Sequence, residues 1–306
     1  MINQAGRAVG DADQQPINRL LNFNRGGPTV LRMVLGSQLR RLREKSGISA
    51  SDAGYAIRAT HSKISRMELG RVSFRERDVT DLLIMYGVTD PEEHKAFTAL
   101  AREANVPGWW HGSADVLPGW FEPYIGLEEA ASIVRNYQVQ WVPGQLQTPE
   151  YARQVILLGH AGISDAEMQR RIELRMNRQK LLTRPDGPHF WLVVDEAVLR
   201  RPLGGADLMR AQIDRLIEVT QLPAVTLQVL PFRTGGHPAA GGPLCILRFA
   251  EPDLPDVVYL EQLTSALYLD RRDEVDSYQM VMDKLCVQAA PDTETVKILE
   301  KIRKDL

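Results

Sequence analysis

Cysteine, histidine and long apolar runs are what these 306 residues have little of. Two cysteines, Cys245 and Cys286, are too few and too widely separated for a disulfide framework or a zinc site. They are expected as small buried apolar residues in a reducing compartment. Six histidines are dispersed along the chain, so no metal is expected. No apolar run reaches the roughly 18 residues that span a bilayer, and the N-terminal stretch lacks the apolar core of a signal peptide, which points to the cytoplasm and away from a membrane. The GxSxG nucleophile elbow, the phosphate-cradling GxxxxGK[ST] loop and the HExxH helix are all missing. No catalytic residue and no cofactor is therefore expected. Neither an internal repeat nor a low-complexity block occurs.

What is present is ordinary in amount and uneven in placement. With 44% hydrophobic and 25% charged residues, the composition suits a globular chain of two domains. From Arg32 to Arg77 eleven Lys/Arg face four Asp/Glu, a local charge of +7 in a chain whose net charge is −2, leaving −9 elsewhere. A basic segment on an acidic body is an electrostatic footprint for nucleic acid. Inside it, the stretch Leu39–Gly70 has the spacing of two short crossing helices behind a supporting one. Ser49 precedes a short helical run with Asp52 three positions on, an N-terminal signature. Gly54, Ile57, Ile64 and Met67 fall where crossing helices touch. Thr60 caps the second helix, Ser62, Lys63 and Arg66 lie off its Ile64/Met67 stripe, and Gly70 supplies a left-handed stop. A merely solvated charged bundle is the competing reading, and the charge balance argues against it.

The residues LRxLRxxxGIS…KISRMELG resemble the xenobiotic-response-element (Cro/phage-repressor) family of helix-turn-helix regulators. By position, the resemblance implies base reading by His61, Ser62 and Arg66, with Arg66 the candidate for bidentate guanine contact. It implies phosphate contacts from Ser49, Thr60, Lys63, Arg71 and Arg75, and an ion pair between Arg43 and Glu68 that braces the motif. Arg58 stands where the family often has Gly in the turn, and it can add a phosphate contact.

Along the chain, residues 1–27 have no sustained periodicity and read as a mobile tail, with Arg19 and Arg25 as a candidate basic arm. An all-α, five-helix repressor-like head is expected over 28–106, its last two helices marked by Val79, Leu82, Leu83 and Tyr86, then by Asp90-Pro91 with Phe97 and Leu100. Residues 107–121, rich in Pro, Gly and Trp, read as a linker in which Trp109, Trp110 and Trp120 pin domains together. The rest, 122–306, alternates short β-branched runs (133–139, 189–196, 224–231, 244–249, 256–261) with helical patterns (149–158, 165–182, 207–220, 271–289, 293–304), a mixed α/β domain. The fold class expected is α+β overall.

This second half resembles, through WVPGQLQTPEYAR, RMNRQ, VVDEAVLRRPLGG, VLPF, GGHPAAGGPLCILRF and VVYLE, the carboxy-terminal domain that follows a repressor-type head in many actinobacterial regulators, including the WhiJ-like ones. Gln145 stands where that group commonly has Leu. The resemblance implies a transcription factor, often beside a small partner protein, with an effector-sensing or docking role. Arg175, Arg178 and Gln179 share one helical face and form a candidate pocket for an anionic effector, although Arg178 can equally pair with Glu196 or Glu261. His237 sits in a glycine-rich loop able to approach a ligand, and Asp195-Glu196 reads as a cap for the helix that follows. The partners expected are double-stranded DNA, a second copy of the chain in a homodimer, and a small partner protein or small-molecule effector. The alternative is an antitoxin-like protein inhibitor, or an enzyme with an unrecognised site, whose helix-turn-helix serves autoregulation.

Overall fold

The structure, a computed structural model, describes residues 27–251 and 254–306. The tail expected over 1–27, with Arg19 and Arg25, lies outside the described residues except for Gly27. The chain divides after Gly108 into two units, one helical and one mixed, so that it is α+β overall.

The helical unit holds α1 (Pro28–Lys45), α2 (Ala50–Ala56), α3 (His61–Glu68), α4 (Glu76–Met85) and α5 (Pro91–Ala104). Local chemistry sets most of the ends. Pro28 and Pro91 open α1 and α5, where the missing N–H costs nothing. Ser49 and Thr60 accept from Asp52 N and Lys63 N, and Asp90 accepts from Glu92 N. Leu35, Leu39, Ile64, Met67, Val79 and Leu83 form the core between these helices. The approach of α1 to α3 is set by Gly36: a Cβ there would sit 2.6 Å from the Glu68 carbonyl oxygen and closer still to that of Met67. Gly70 ends α3 at φ +65° with its backbone against Met33. Beyond α3, Asn105 takes the Phe74 N–H (3.0 Å) and donates to the Phe74 carbonyl, tying the loop before α4 to the end of α5.

The mixed unit is built on one six-stranded sheet in the order β3-β2-β1-β4-β5-β6: β1 (Ile133–Gln138), β2 (His189–Asp195), β3 (Val225–Leu230), β4 (Leu244–Arg248), β5 (Val257–Glu261) and β6 (Ala266–Leu269). β1, β2 and β3 are parallel, because helices intervene: α7 (Pro149–Gly159) and α8 (Asp165–Arg178) before β2, then α9 (Glu196–Arg200) and α10 (Ala206–Val219) before β3. β4, β5 and β6 follow as an antiparallel meander. On one face Tyr137, Val193, Leu244, Ile246 and Val258 pack with Met282 and Leu285 of α11 (Arg272–Gln288). α12 (Asp292–Asp305) lies along β3, where Thr295 Oγ1 donates to the Leu227 carbonyl (2.7 Å) and Ala290 N to that of Val229 (2.9 Å), covering that edge of the sheet. The other face carries Cys245 and Tyr259, met by α6 (Glu122–Ala130).

Three features depart from the pattern in the sequence. The helix expected over 165–182 ends at Arg178 and tightens into a 3-10 turn over Gln179–Leu182. α6 and β6 are additional. The segment expected as a linker is divided at 108/109, and its aromatics pack within the mixed unit: a 3-10 segment (Trp109–Val116) seats Trp110 against Ile125 and Leu174, with Leu117 and Phe121 packed on them.

Candidate functional site

Two groups of side chains carry chemistry, one on each unit. In the helical unit, burial of Ile64 and Met67 turns the opposite face of α3 outward, leaving His61, Ser62 and Arg66 exposed in a row. Arg66 Nε rests 3.3 Å from the Ser62 carbonyl, a contact within its own helix that leaves most of the guanidinium fork to solvent. Ser49, Arg58, Thr60 and Arg75 are exposed around this row, and Arg71 is part-buried. Ser49 accepts from Asp52 N and donates its hydroxyl to Asp52 Oδ2 (2.6 Å), which uses its proton, whereas Thr60 caps α3 by accepting from Lys63 N and keeps its O–H to donate to another partner. Arg58 takes the turn at φ +53°, a left-handed conformation that costs an L-residue about 1 kcal/mol or more and holds its side chain outside the core. Lys63 is committed: its ammonium lies 2.6 Å from Asp78 Oδ2, joining α3 to α4. Behind the row, Arg43 grips Glu68 with Nε (2.6 Å) and Nη2 (2.9 Å) while Nη1 donates to the Ile48 carbonyl (2.9 Å). That fork spans the ends of α1 and α3, and the Glu68 hydrogen bond holds the Arg43 guanidinium above its ordinary pKa.

In the mixed unit, the face of the sheet turned to α6 holds a buried polar cluster. Glu128, fully buried, accepts from Arg178 Nε (2.8 Å) and Nη2 (2.9 Å), from Tyr124 Oη (2.9 Å) and from Gln145 Nε2. The Arg178 guanidinium also lies over the Phe121 and Tyr124 rings, 5.1 and 5.3 Å from their centroids. Arg178 therefore pairs with Glu128, not with Glu196 or Glu261, and is no free cation for an effector. Glu196 instead binds Arg200 (2.6 Å) and takes the Phe232 N–H (2.9 Å), while Asp195 caps α9 through Ala197 N. Tyr124 Oη lies 3.6 Å from Cys245 Sγ, and burial pushes that thiol up to about 12. Gln179 holds the loop before α7 by donating to the Gln147 and Gly144 carbonyls (2.7 and 3.3 Å). Arg175 reaches Gln147 Oε1 (3.1 Å).

A family model described as domain of unknown function (DUF5753) matches residues 121–301. The chain belongs to this family. A model described as a helix-turn-helix domain matches residues 34–97, which takes in α1 from its second turn through the middle of α5. No curated protein and no solved structure matches the chain. The DUF5753 match contains every member of the Glu128 cluster, so the buried network belongs to that domain.

His237 does not join the Arg175 group. Its Nε2 lies 3.1 Å from Tyr137 Oη, in β1, and its Nδ1 accepts from Ala239 N (3.4 Å), at the α11 side of the sheet. With Nδ1 accepting, Nε2 carries the proton and donates to the tyrosine. The residues missed from the sequence are Glu128, Tyr124, Gln145 and Gln147. A faint signal existed in Tyr124 and Glu128, four apart on one helix, and in the polar Gln145 at a position where an apolar residue is usual. Among the described residues no group of His, Cys, Asp and Glu is arranged to hold a metal, and no helix is long and apolar enough to cross a membrane.

Proposed function

We propose that the chain is a cytoplasmic, sequence-specific DNA-binding transcriptional regulator of the repressor-like type, working as a homodimer, whose DUF5753 domain receives a small-molecule effector or a small partner protein. The observation that carries this reading is the outward row His61, Ser62 and Arg66 on α3, inside a segment of local charge +7 that matches a helix-turn-helix domain. A helix with one buried and one polar face, backed by a supporting helix, is the device that enters the major groove with its N-terminal residues on base edges. Because one such helix reads few base pairs, two heads are required on half-sites about one helical turn, roughly 34 Å, apart or a multiple of it. The −9 remainder of the chain disfavours wrapping by DNA and leaves affinity to the Lys/Arg of the head. The paired state of Lys63 with Asp78 makes it a brace before it is a phosphate anchor, so Arg58, Arg71 and Arg75 are the phosphate contacts this reading favours.

The test is selection of bound duplexes from a random library, followed by fluorescence anisotropy on the selected site at several salt concentrations. Arg66→Ala should weaken specific binding by about 1–3 kcal/mol and relax preference at one base pair. Unchanged affinity for the selected site would sink the base-contact assignment.

A further inference from the structure

We propose that Arg175 anchors a binding site for the carboxylate of a small monoanionic ligand; this rests on the reading of the DUF5753 domain as an effector domain. α8 carries Arg171, Arg175 and Arg178 at helical spacings of four and three, which places them along one face. The outer two are neutralised. Arg171 binds Glu167 at 2.8 Å and Arg178 holds Glu128 through two hydrogen bonds. Arg175, between them, has no carboxylate within 4.0 Å among the described residues, and its hydrogen bonding there is the single contact from Nη1 to Gln147 Oε1.

Gln147 is itself clamped, donating to the Val142 carbonyl (2.6 Å) and receiving Gln179 on its own carbonyl (2.7 Å), so it points the Arg175 guanidinium without neutralising it. A Cβ at Gly144 would lie 3.5 Å from Arg178 Nη1 and 3.9 Å from Arg175 Cδ, so the turn passes over both side chains. Burial, with the Arg178 charge next, pushes the Arg175 pKa down to about 10, which a guanidinium satisfied by a contacting anion would not show. Glu261 acts on it from beyond ion-pair distance and is engaged by Tyr259 Oη at 3.0 Å.

A part-buried guanidinium one negative charge short at contact distance is unfavourable to leave so and matches a planar carboxylate by its fork. Charge selects the ligand: Glu128 and Glu261 repel both charges of a phosphate dianion but only the one of a monocarboxylate, which still supplies the contacting anion that Arg175 lacks.

The experiment uses the full chain and thermal unfolding followed by tryptophan fluorescence. Acetate, benzoate, inorganic phosphate and chloride are the probes, compared at matched ionic strength. Acetate and benzoate should raise the melting temperature of the wild type saturably, by about 2–4 °C, while chloride gives no saturable rise. Arg175→Gln should abolish the response. Should that variant melt early, Arg175→Lys, which keeps the charge and loses the fork, should respond to carboxylate at least tenfold more weakly. An equal rise in wild type and both variants, or no rise at all, overturns the site, and phosphate outperforming both carboxylates through Arg175 overturns the ligand class. Anisotropy with the selected duplex on the same samples separates the two proposals: a carboxylate response through Arg175 that leaves duplex affinity unchanged refutes the effector reading and leaves the Arg175 site standing.

Discussion

The sharpest energetic test is Glu128→Gln. Four donors converge on the Glu128 carboxylate, two from Arg178 and one each from Tyr124 and Gln145, and Glu128 is 0% and Arg178 7% exposed. Removing the charge while keeping the shape leaves a guanidinium that cannot deprotonate, with its two bonds turned toward an amide. Breaking one side of a buried pair in this way costs about 3–5 kcal/mol, against about 0–1 kcal/mol for an exposed pair such as Arg77 with Asp81. All five tryptophans, 109, 110, 120, 141 and 191, belong to the mixed unit, so urea unfolding followed by tryptophan fluorescence reports that unit alone. At a slope near the upper end of the usual range, about 3 kcal/mol per M, the midpoint should fall by about 1–2 M. Glu128→Leu combined with Arg178→Met, which removes both charges, should recover about half of that loss, short of about 1–3 kcal/mol for the stranded Tyr124 and Gln145 groups. A loss below about 1 kcal/mol for Glu128→Gln, or a double variant less stable than the single, would refute the claim that the destabilisation comes chiefly from a buried charge left without its partner.

Two further outcomes follow from packing. Gly36→Ala gains about 1 kcal/mol of helix propensity but drives a Cβ into the carbonyls of Met67 and Glu68, which cannot swing aside as a side chain can, so the helical unit should lose about 1–3 kcal/mol. Far-UV circular dichroism should show the head melting earlier while the tryptophan transition stays in place, and a head transition that is unmoved or raised contradicts the backbone contact. Cys245, buried and with its thiol pushed up to about 12, should stay silent to a chromogenic disulfide reagent at pH 8 until urea unfolds the mixed unit, while the half-buried Cys286 reacts slowly. Rapid reaction of two thiols in the folded protein would exclude this burial.

The parts legible in the sequence are those whose causes are local. Ser49, Thr60 and Asp90 cap helices by bonding N–H groups two or three residues away, and Gly70 turns the chain by its own φ, so the helix-turn-helix outline follows from short windows. The five strands with β-branched or aromatic runs follow in the same way, since burial on both faces of a sheet writes itself into consecutive residues. β6 escapes because it is a four-residue edge strand with no buried position, and α6 because it follows a Pro/Gly/Trp stretch whose aromatics look like a junction until Trp110 finds Ile125 and Leu174. Charge matching is the least legible, because it is decided between elements far apart in sequence. The spacing of Arg171, Arg175 and Arg178 states that they share a face, and nothing in that spacing says which has a counter-charge. Glu128 answers Arg178 only because α6 lies on the same sheet face as the end of α8, and Glu167 answers Arg171 because they are one turn apart. The arginine left over is thus visible only after folding has assigned the other two, and a missing partner at such a position is a property of the assembled domain rather than of any motif in the chain.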